Sequence, residues 1–132
     1  MIGLLVDHNI ERHGLLIWAQ FEVVDWQSMN LSSLATLDQL GIDANASDRE
    51  IWLYCQHEGH LLLTANRNMD GENSLEAVIR RHGRRDSLPV LTLADPDRVL
   101  EDAAYRELCA YRIAGIALEL DSSRGITRLF VP

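Results

Sequence analysis

The stretch Ile2-Gly3-Leu4-Leu5-Val6-Asp7 is an apolar run of strand length that ends in a carboxylate. A second apolar run, Leu61-Leu62-Leu63-Thr64, is followed by Ala65 and Asn66. If the two runs are neighbouring parallel strands, their polar ends meet at one edge of a sheet, where open parallel sheets bind ligands. The intervening helix would begin near the same edge, at Ser47-Asp48-Arg49-Glu50. The pattern therefore predicts an acidic site suited to a metal ion.

Length and composition indicate one folded domain. A chain of 132 residues has the size of a single domain, so we expect one domain over residues 1–132. Hydrophobic residues make up 47% and charged residues 24%, as in typical globular proteins. The longest apolar stretches, such as residues 15–19, are far shorter than the roughly 18 residues of a membrane span. We therefore expect a cytoplasmic protein with no membrane association.

The charge of the chain limits the ways in which it can bind nucleic acid. Its formal net charge is −8, whereas phosphate binding depends on clustered Lys and Arg. The dense basic cluster is formed by Arg80, Arg81, Arg84 and Arg85, which predicts a local positive patch. Any role in nucleic-acid binding would therefore depend on a local patch or on a metal ion.

The cysteines and histidines do not predict a zinc site or a disulfide. Cys55 and Cys109 are far apart in sequence and have no close-spaced cysteine partner. Cys55 and His57 are two residues apart on a predicted helix, so their side chains do not face each other. The two cysteines therefore do not support a disulfide framework.

Apolar runs of strand length alternate with segments of helical period. Strands are predicted at residues 2–6, 21–26, 61–64 and 89–93, and helices at 10–19, 34–40, 48–58, 74–82 and 96–111. The helix after Ser47 is marked by a capping box with Glu50. Residues 116–120 and 126–131 alternate with period two around Gly125, which predicts a C-terminal β-hairpin. The fold class is therefore α/β, with a mostly parallel central sheet and an antiparallel addition at its end.

The order of these motifs resembles the PIN and PIN-like nuclease domains. The resemblance rests on an apolar strand ending in Asp7, an Asp at a helix start with Ile51 three residues later, and an apolar strand followed by Thr-x-Asn. Within that superfamily the chain is most similar to the small bacterial PIN-like proteins of the DUF5615 and Mut7-C kind. The resemblance covers residues 2–10 and 47–70, and more weakly residues 89–93.

The resemblance implies a three-layer α/β/α fold with acidic residues around Mg²⁺ or Mn²⁺. Asp7 matches the first acidic position of the family, and Asp48 matches the acid that opens the helix before the Thr-bearing strand. Asn66 falls where the family has Asp or Asn. Asp70 lies near a further acidic position, although Met69 occupies the place where many members carry that acid. The middle of the chain contains no clear helical glutamate, so this chain has fewer carboxylates than the fuller PIN pattern.

These residue types suit metal-assisted phosphodiester cleavage. Mg²⁺ prefers oxygen ligands and is commonly held by one or two carboxylates, several waters and a substrate phosphate. Asp7, Asp48 and Asp70 are the candidate metal ligands, and Asn66 would orient a water without adding charge. Thr64 would hydrogen-bond the acids or the phosphate. Arg67, or the cluster from Arg80 to Arg85, would hold the substrate backbone.

Each candidate also has a purely structural interpretation. Asp7 would end a strand and cap the next helix, and Asp48 would interact only with the dipole of its helix. Glu50 is explained by the capping box. Asn66 and Asp70, the latter followed by Gly71, are common turn residues.

The function implied by the resemblance is that of a metal-dependent endoribonuclease, acting as the toxin of a toxin–antitoxin pair, with RNA and an antitoxin as partners. An alternative is a catalytically weak or inactive PIN-like module that works by forming a homodimer or docking another protein. A third is a phosphatase-like enzyme that uses the same acidic edge on a small molecule or nucleotide. Neither a glycine-rich phosphate loop nor a nucleophile elbow is present to favour other enzymes.

Overall fold

The computed structural model describes residues 1–23, 30–66 and 74–132. The strands are β1 Ile2–Val6, β2 Leu31–Thr36, β3 His60–Thr64, β4 Val90–Leu93 and β5 Arg128–Val131. The α-helices are α1 Glu11–Trp18, α2 Asp48–Glu58, α3 Leu75–His82, α4 Pro96–Glu101, α5 Ala103–Leu118 and α6 Leu120–Ser123. Short 3-10 helices occupy His8–Ile10, Ala19–Val23 and Asp38–Leu40.

The five described strands form one parallel sheet in the order β2-β1-β3-β4-β5. The chain moves from β1 to one side for β2 and then to the other side for β3. The strand order therefore reverses between β1 and β3, which makes that boundary a topological switch point. Ligands of doubly wound folds bind at such points, outside the carboxyl ends of the strands.

The strands are buried on both faces because their alternate side chains enter two separate cores. Leu4 and Val6 of β1, with Leu61 and Leu63 of β3, pack with α1, α4 and α5. Leu5 and Leu62 pack on the opposite face, with α2 and α3. Continuous apolar runs are typical of parallel strands covered by helices on both sides. The predicted α/β class and three-layer α/β/α arrangement are confirmed.

Most of the predicted helix starts are present. Ser47 Oγ accepts a hydrogen bond from the backbone N–H of Glu50 at 3.2 Å, so α2 begins as the capping motif indicates. Ser74 caps α3 in the same way, through the N–H of Ala77. The helix predicted over 96–111 is two helices, because Asp102 ends α4 and caps α5, which continues to Leu118.

The predicted C-terminal hairpin is wrong. Residues 116–118 are the end of α5, Leu120 begins α6, and β5 pairs in parallel with β4. The alternation of Ile116, Leu118 and Leu120 has the two-residue period of a β-strand, which is why the sequence predicted one. However, Leu118 is 57% exposed, while Ile113, Ile116 and Leu120 are buried at helical spacing.

Two earlier elements also differ from the prediction. The helix predicted at 34–40 is replaced by β2 and the 3-10 helix Asp38–Leu40. Pairing with β1, in which Leu34 lies opposite Leu4, supplies backbone hydrogen bonds that override the three-residue leucine spacing. The strand predicted at 21–26 begins in the 3-10 helix Ala19–Val23, where Phe21 packs edge-on against Trp18, and its remaining residues lie outside the described part.

None of the helices in the described ranges is both long and apolar enough to cross a membrane.

Gly14 is the glycine that brings α1 close to the sheet. A Cβ atom placed there would lie 2.7 Å from Cγ2 of the buried Val6 on β1, a stiff branched side chain. Gly115 on α5 is the natural control, because a Cβ there would meet no atom within 4 Å.

We predict opposite effects for the two glycine-to-alanine substitutions. Gly14→Ala should lower the free energy of unfolding by about 1–3 kcal/mol, the cost typical of overpacking a core. Gly115→Ala should raise it by roughly 0.5–1 kcal/mol, since alanine favours the helix. Urea denaturation followed by circular dichroism measures both values. A neutral or stabilising Gly14→Ala would show that α1 does not pack this closely.

Candidate metal centre

The site is assembled where β1, β3 and α2 meet at the carboxyl edge of the sheet. Asp7 directly follows β1, Asn66 lies two residues after β3, and Asp48 is the first residue of α2. Val6 pairs with Leu63, and the Asp7 backbone N–H donates to the Leu63 carbonyl at 2.9 Å. The pairing of the two strands therefore fixes the position of Asp7 relative to the end of β3, at the topological switch point.

The Asp7 carboxylate is held by hydrogen bonds at both oxygens. Oδ1 accepts from the backbone N–H of His8 at 2.8 Å, so Asp7 caps the 3-10 helix His8–Ile10. Oδ2 accepts from the Thr64 hydroxyl at 2.9 Å. Thr64 is fully buried, and its Oγ1 also accepts from the backbone N–H of Asn66 at 3.0 Å. The capping interpretation of Asp7 is thus correct, and it coexists with a position in the acidic site.

Asn66 connects the two carboxylates. Its side-chain Nδ2 donates to Oδ2 of Asp48 at 3.2 Å, while its backbone N–H is held by Thr64. A continuous hydrogen-bonded path therefore runs from Asp7 through Thr64 and Asn66 to Asp48. The structure brings together four of the residues that the sequence analysis selected.

The two carboxylates repel each other. Burial raises the pKa of Asp48 above its ordinary value, and the negative charge of Asp7 raises it further. Hydrogen bonds involving Asn66 and the backbone of Leu75, together with the charge of Arg128, act in the opposite direction without cancelling the effect. A bound cation would reduce this repulsion and favour the ionised form of Asp48.

A cavity of about 400 Å³ opens over these groups. Asp7, His8, Asp48 and Asn66 supply its polar wall, and Ala44 and Ala46 lie on the loop that borders it. His8 and Asn9 are exposed, so the cavity is accessible from solvent. Its size is within the roughly 300–1,000 Å³ range of small-ligand sites.

Arg128 is the residue near this site that the sequence analysis did not select. Its guanidinium donates to the Asn66 carbonyl at 2.8 Å and to the Thr92 hydroxyl. It also forms an ion pair with Glu76, at 3.0 Å, in which the side chains are only 10% and 18% exposed. Because these partners lie 36 to 62 residues away in sequence, no local motif points to them. Arg128 thus fixes the backbone position from which Asn66 reaches Asp48.

Other predicted site residues are elsewhere or outside the description. Arg67 and Asp70 lie outside the described residues. Arg80 and Arg81 lie in the last turn of α3, and Arg80, Arg84 and Arg85 line cavities at the amino edge of the sheet. The cluster is therefore separate from the acidic site, because α3 runs from the carboxyl edge to the opposite one.

The donor set matches a hard divalent cation. Asp7 and Asp48 offer carboxylate oxygens, which are hard ligands, whereas zinc sites are built mainly from Cys sulfur and His nitrogen. Among the residues described, no group of three or more His, Cys, Asp or Glu is placed to hold a metal ion. Two carboxylates are nevertheless the usual protein share for Mg²⁺, which keeps several waters and takes substrate phosphate as a further ligand.

Comparisons with models of known protein families, with curated proteins and with solved structures find no match to this chain.

Because Asp7 and Asp48 repel each other, we predict that Asp48→Asn stabilises the fold. Removing this charge should raise the melting temperature in EDTA at neutral pH by about 2–4 °C, a small gain because the partly exposed pair is screened by solvent. The pKa of Asp48 is raised in the folded protein, so the carboxylate destabilises the fold only when ionised. The gain should therefore vanish at pH values below the ordinary aspartate pKa.

The same variant tests cation binding. Mn²⁺ should raise the melting temperature of the wild-type protein, because a ligand that binds only the folded state stabilises it. This rise should be lost in Asp48→Asn. Asp97→Asn, an exposed change on α4, serves as the control and should keep the response. An equal response to Mn²⁺ in Asp48→Asn and wild type would contradict a metal site at Asp48.

Proposed function

We propose that the protein is a PIN-like, metal-dependent ribonuclease that uses Mg²⁺ or Mn²⁺ at Asp7 and Asp48. The observation that carries the proposal is the convergence of these carboxylates at the topological switch point, where hydrogen bonds through Thr64 and Asn66 join them. Like charges held together in a partly buried position are costly to the fold, and such arrangements cluster at functional sites. The resemblance of the motifs to PIN-like nucleases agrees with this assignment.

The surrounding residues would keep the two acids in position. Thr64 holds one oxygen of Asp7, which leaves this carboxylate with a fixed orientation. Asn66 holds one oxygen of Asp48 and is itself fixed by Thr64 and Arg128. When bound, the cation would supply Lewis-acid polarisation of the phosphodiester and a more acidic water. Thr64 and Asn66 would hold both carboxylates in place before the reaction, so that the site rearranges little during it.

RNA is the proposed substrate, and the net charge of the chain favours a metal-bridged contact with it. At a net charge of −8, the protein as a whole repels a polyanion. A cation at the acidic edge would offset this repulsion locally and bind a phosphate oxygen. The family resemblance extends the proposal to the toxin of a toxin–antitoxin pair, with a protein antitoxin as partner.

A second candidate function is a weakly active or inactive PIN-like module that acts as a homodimer. It is favoured by an exposed apolar stripe on α5, where Leu108, Tyr111 and Leu118 are 55%, 62% and 57% exposed. These residues recur at helical spacing on one face, and contiguous exposed apolar patches are typical of interaction surfaces. Sedimentation equilibrium of the wild type and of Leu108→Gln/Leu118→Gln distinguishes a dimer that uses this stripe from a monomer.

We predict that Asp7→Asn abolishes most RNA cleavage while the fold is preserved. A loss of several kcal/mol of transition-state stabilisation corresponds to about a 100-fold lower rate or more. The measurement is cleavage of a mixed-sequence RNA with Mg²⁺, with Mn²⁺ and with EDTA. Asp97→Asn provides the matched control, because it removes an exposed carboxylate on α4 and should cleave as the wild type does. Cleavage that persists in EDTA, or that is equal in wild type and Asp7→Asn, would contradict the proposal.

A further inference from the structure

The amino edge of the sheet carries two adjoining cavities that the proposed nuclease does not use. Their volumes are about 640 and 690 Å³, and the first reaches Ile2 and Gly59 at the starts of β1 and β3. Trp52, Arg84 and Arg124 line both cavities. We call the two together the amino-edge groove. It lies on the far side of the sheet from Asp7 and Asp48.

The groove is locally basic in an acidic protein. Arg80, Arg84, Arg85 and Arg124 line it, while Asp86 is the acidic side chain in the same lining. Among the described residues, the side chains of Arg80, Arg84 and Arg85 form no hydrogen bond or ion pair, so their charges are not neutralised within the fold. Arginine guanidinium groups match the geometry of phosphate oxygens and bind them in bidentate fashion.

A buried hydrogen-bond donor lies in the wall of the groove. Trp52 is only 2% exposed, and its indole Nε1 has no hydrogen-bond partner in the described structure. The indole N–H is purely a donor, and buried donors in folded proteins normally find an acceptor. Trp52 lines both cavities, so its indole N–H signal reports on a ligand bound in the groove.

The backbone of the loop that carries Arg84 and Arg85 is fixed by a network of hydrogen bonds. The backbone N–H of Arg84 donates to Ser87 Oγ at 2.8 Å, and Gln56 binds both the N–H and the carbonyl of Leu88 at 2.7 and 2.9 Å. Gly125, at φ +85°, donates to the Ser87 carbonyl at 2.9 Å. A Cβ at Gly125 would lie 2.7 Å from the Arg85 carbonyl oxygen, so only glycine permits this approach. Two separate chain segments thus present arginines to one groove.

We propose that the amino-edge groove binds a small phosphate-bearing ligand of the nucleotide or polyphosphate class. Each of its two cavities has the volume of a small-ligand site, which is commonly about 300–1,000 Å³. A short polyphosphate in the groove would interact mainly with the nearby arginines. Salt screens charges that lie beyond the Debye length, which is about 8 Å at physiological salt. A long polyanion would also meet the repulsion of a chain with net charge −8. This site is separate from the proposed nuclease centre and does not depend on it.

The test is an NMR titration of the full chain with sodium pyrophosphate and, separately, with ATP, AMP and inorganic phosphate. EDTA is present throughout, so that the acidic edge cannot contribute through a metal ion. The chain has three tryptophans, and Trp52→Phe identifies the Trp52 indole N–H signal. We expect a saturable shift of this signal with pyrophosphate and ATP. A stronger response to ATP than to pyrophosphate would assign the ligand to the nucleotides, and the reverse order to the polyphosphates.

Matched arginine variants separate a built site from bulk charge. Arg84→Gln should weaken pyrophosphate binding about tenfold or more, because it removes a charge-assisted contact from the wall of both cavities. Arg81→Gln removes the same charge nearby, at a residue that lines neither cavity, and should change the affinity by less than about twofold. Asp7→Asn should bind as the wild type does, whether or not the nuclease proposal holds.

Three results would overturn the inference. The first is no saturable shift of the Trp52 signal up to about 10 mM pyrophosphate or ATP, the limit of weak binding. The second is an equal loss of affinity in Arg84→Gln and Arg81→Gln, which would reduce the effect to net charge. The third is tighter binding of a 20-nucleotide RNA than of pyrophosphate or ATP at about 0.15 M salt, which would make the groove a nucleic-acid surface.

Discussion

The parallel pairing of β1 with β3 is the constraint on which the acidic site depends. This pairing places Val6 opposite Leu63 and joins the Asp7 N–H to the Leu63 carbonyl. Thr64 then lies where its buried hydroxyl can donate to Asp7. A shift of one residue in this register would turn the Thr64 side chain to the other face of the sheet and break the connection to Asp7. The site geometry is therefore a consequence of sheet packing as well as of the acids themselves.

The protein maintains this site against electrostatic repulsion. Burial and the charge of Asp7 raise the pKa of Asp48, while Asn66 and Arg128 reduce the effect. Arg128 is in turn held by its ion pair with Glu76, which connects the acidic edge to α3 and β5. Repelling charges that several elements of the fold hold together are common at functional sites. Such sites lower the stability of the fold but keep charged groups in the positions that function requires.

Local signals explain which features could be predicted from the sequence. Asp7 after an apolar run and the capping motif at Ser47 are readable within a few residues, and both lie where the patterns indicate. Tertiary contacts decide the remaining features. Leu118 continued an apparent strand alternation, yet its exposure becomes visible only when α5 is packed on the sheet. Arg128 reaches partners on α3, on β4 and in the loop after β3, and no spacing in the sequence encodes those contacts.

Crystals of the wild-type protein soaked in Mn²⁺ would test the proposed metal centre through anomalous diffraction. A cation held between Asp7 and Asp48 should give one strong peak in contact with oxygens of both carboxylates, because Mn²⁺ shares the preference of Mg²⁺ for such ligands. Asp48→Asn crystals soaked in parallel should lose that peak. Anomalous density confined to other parts of the molecule, with none between Asp7 and Asp48 in the wild type, would contradict a metal-dependent function for this site.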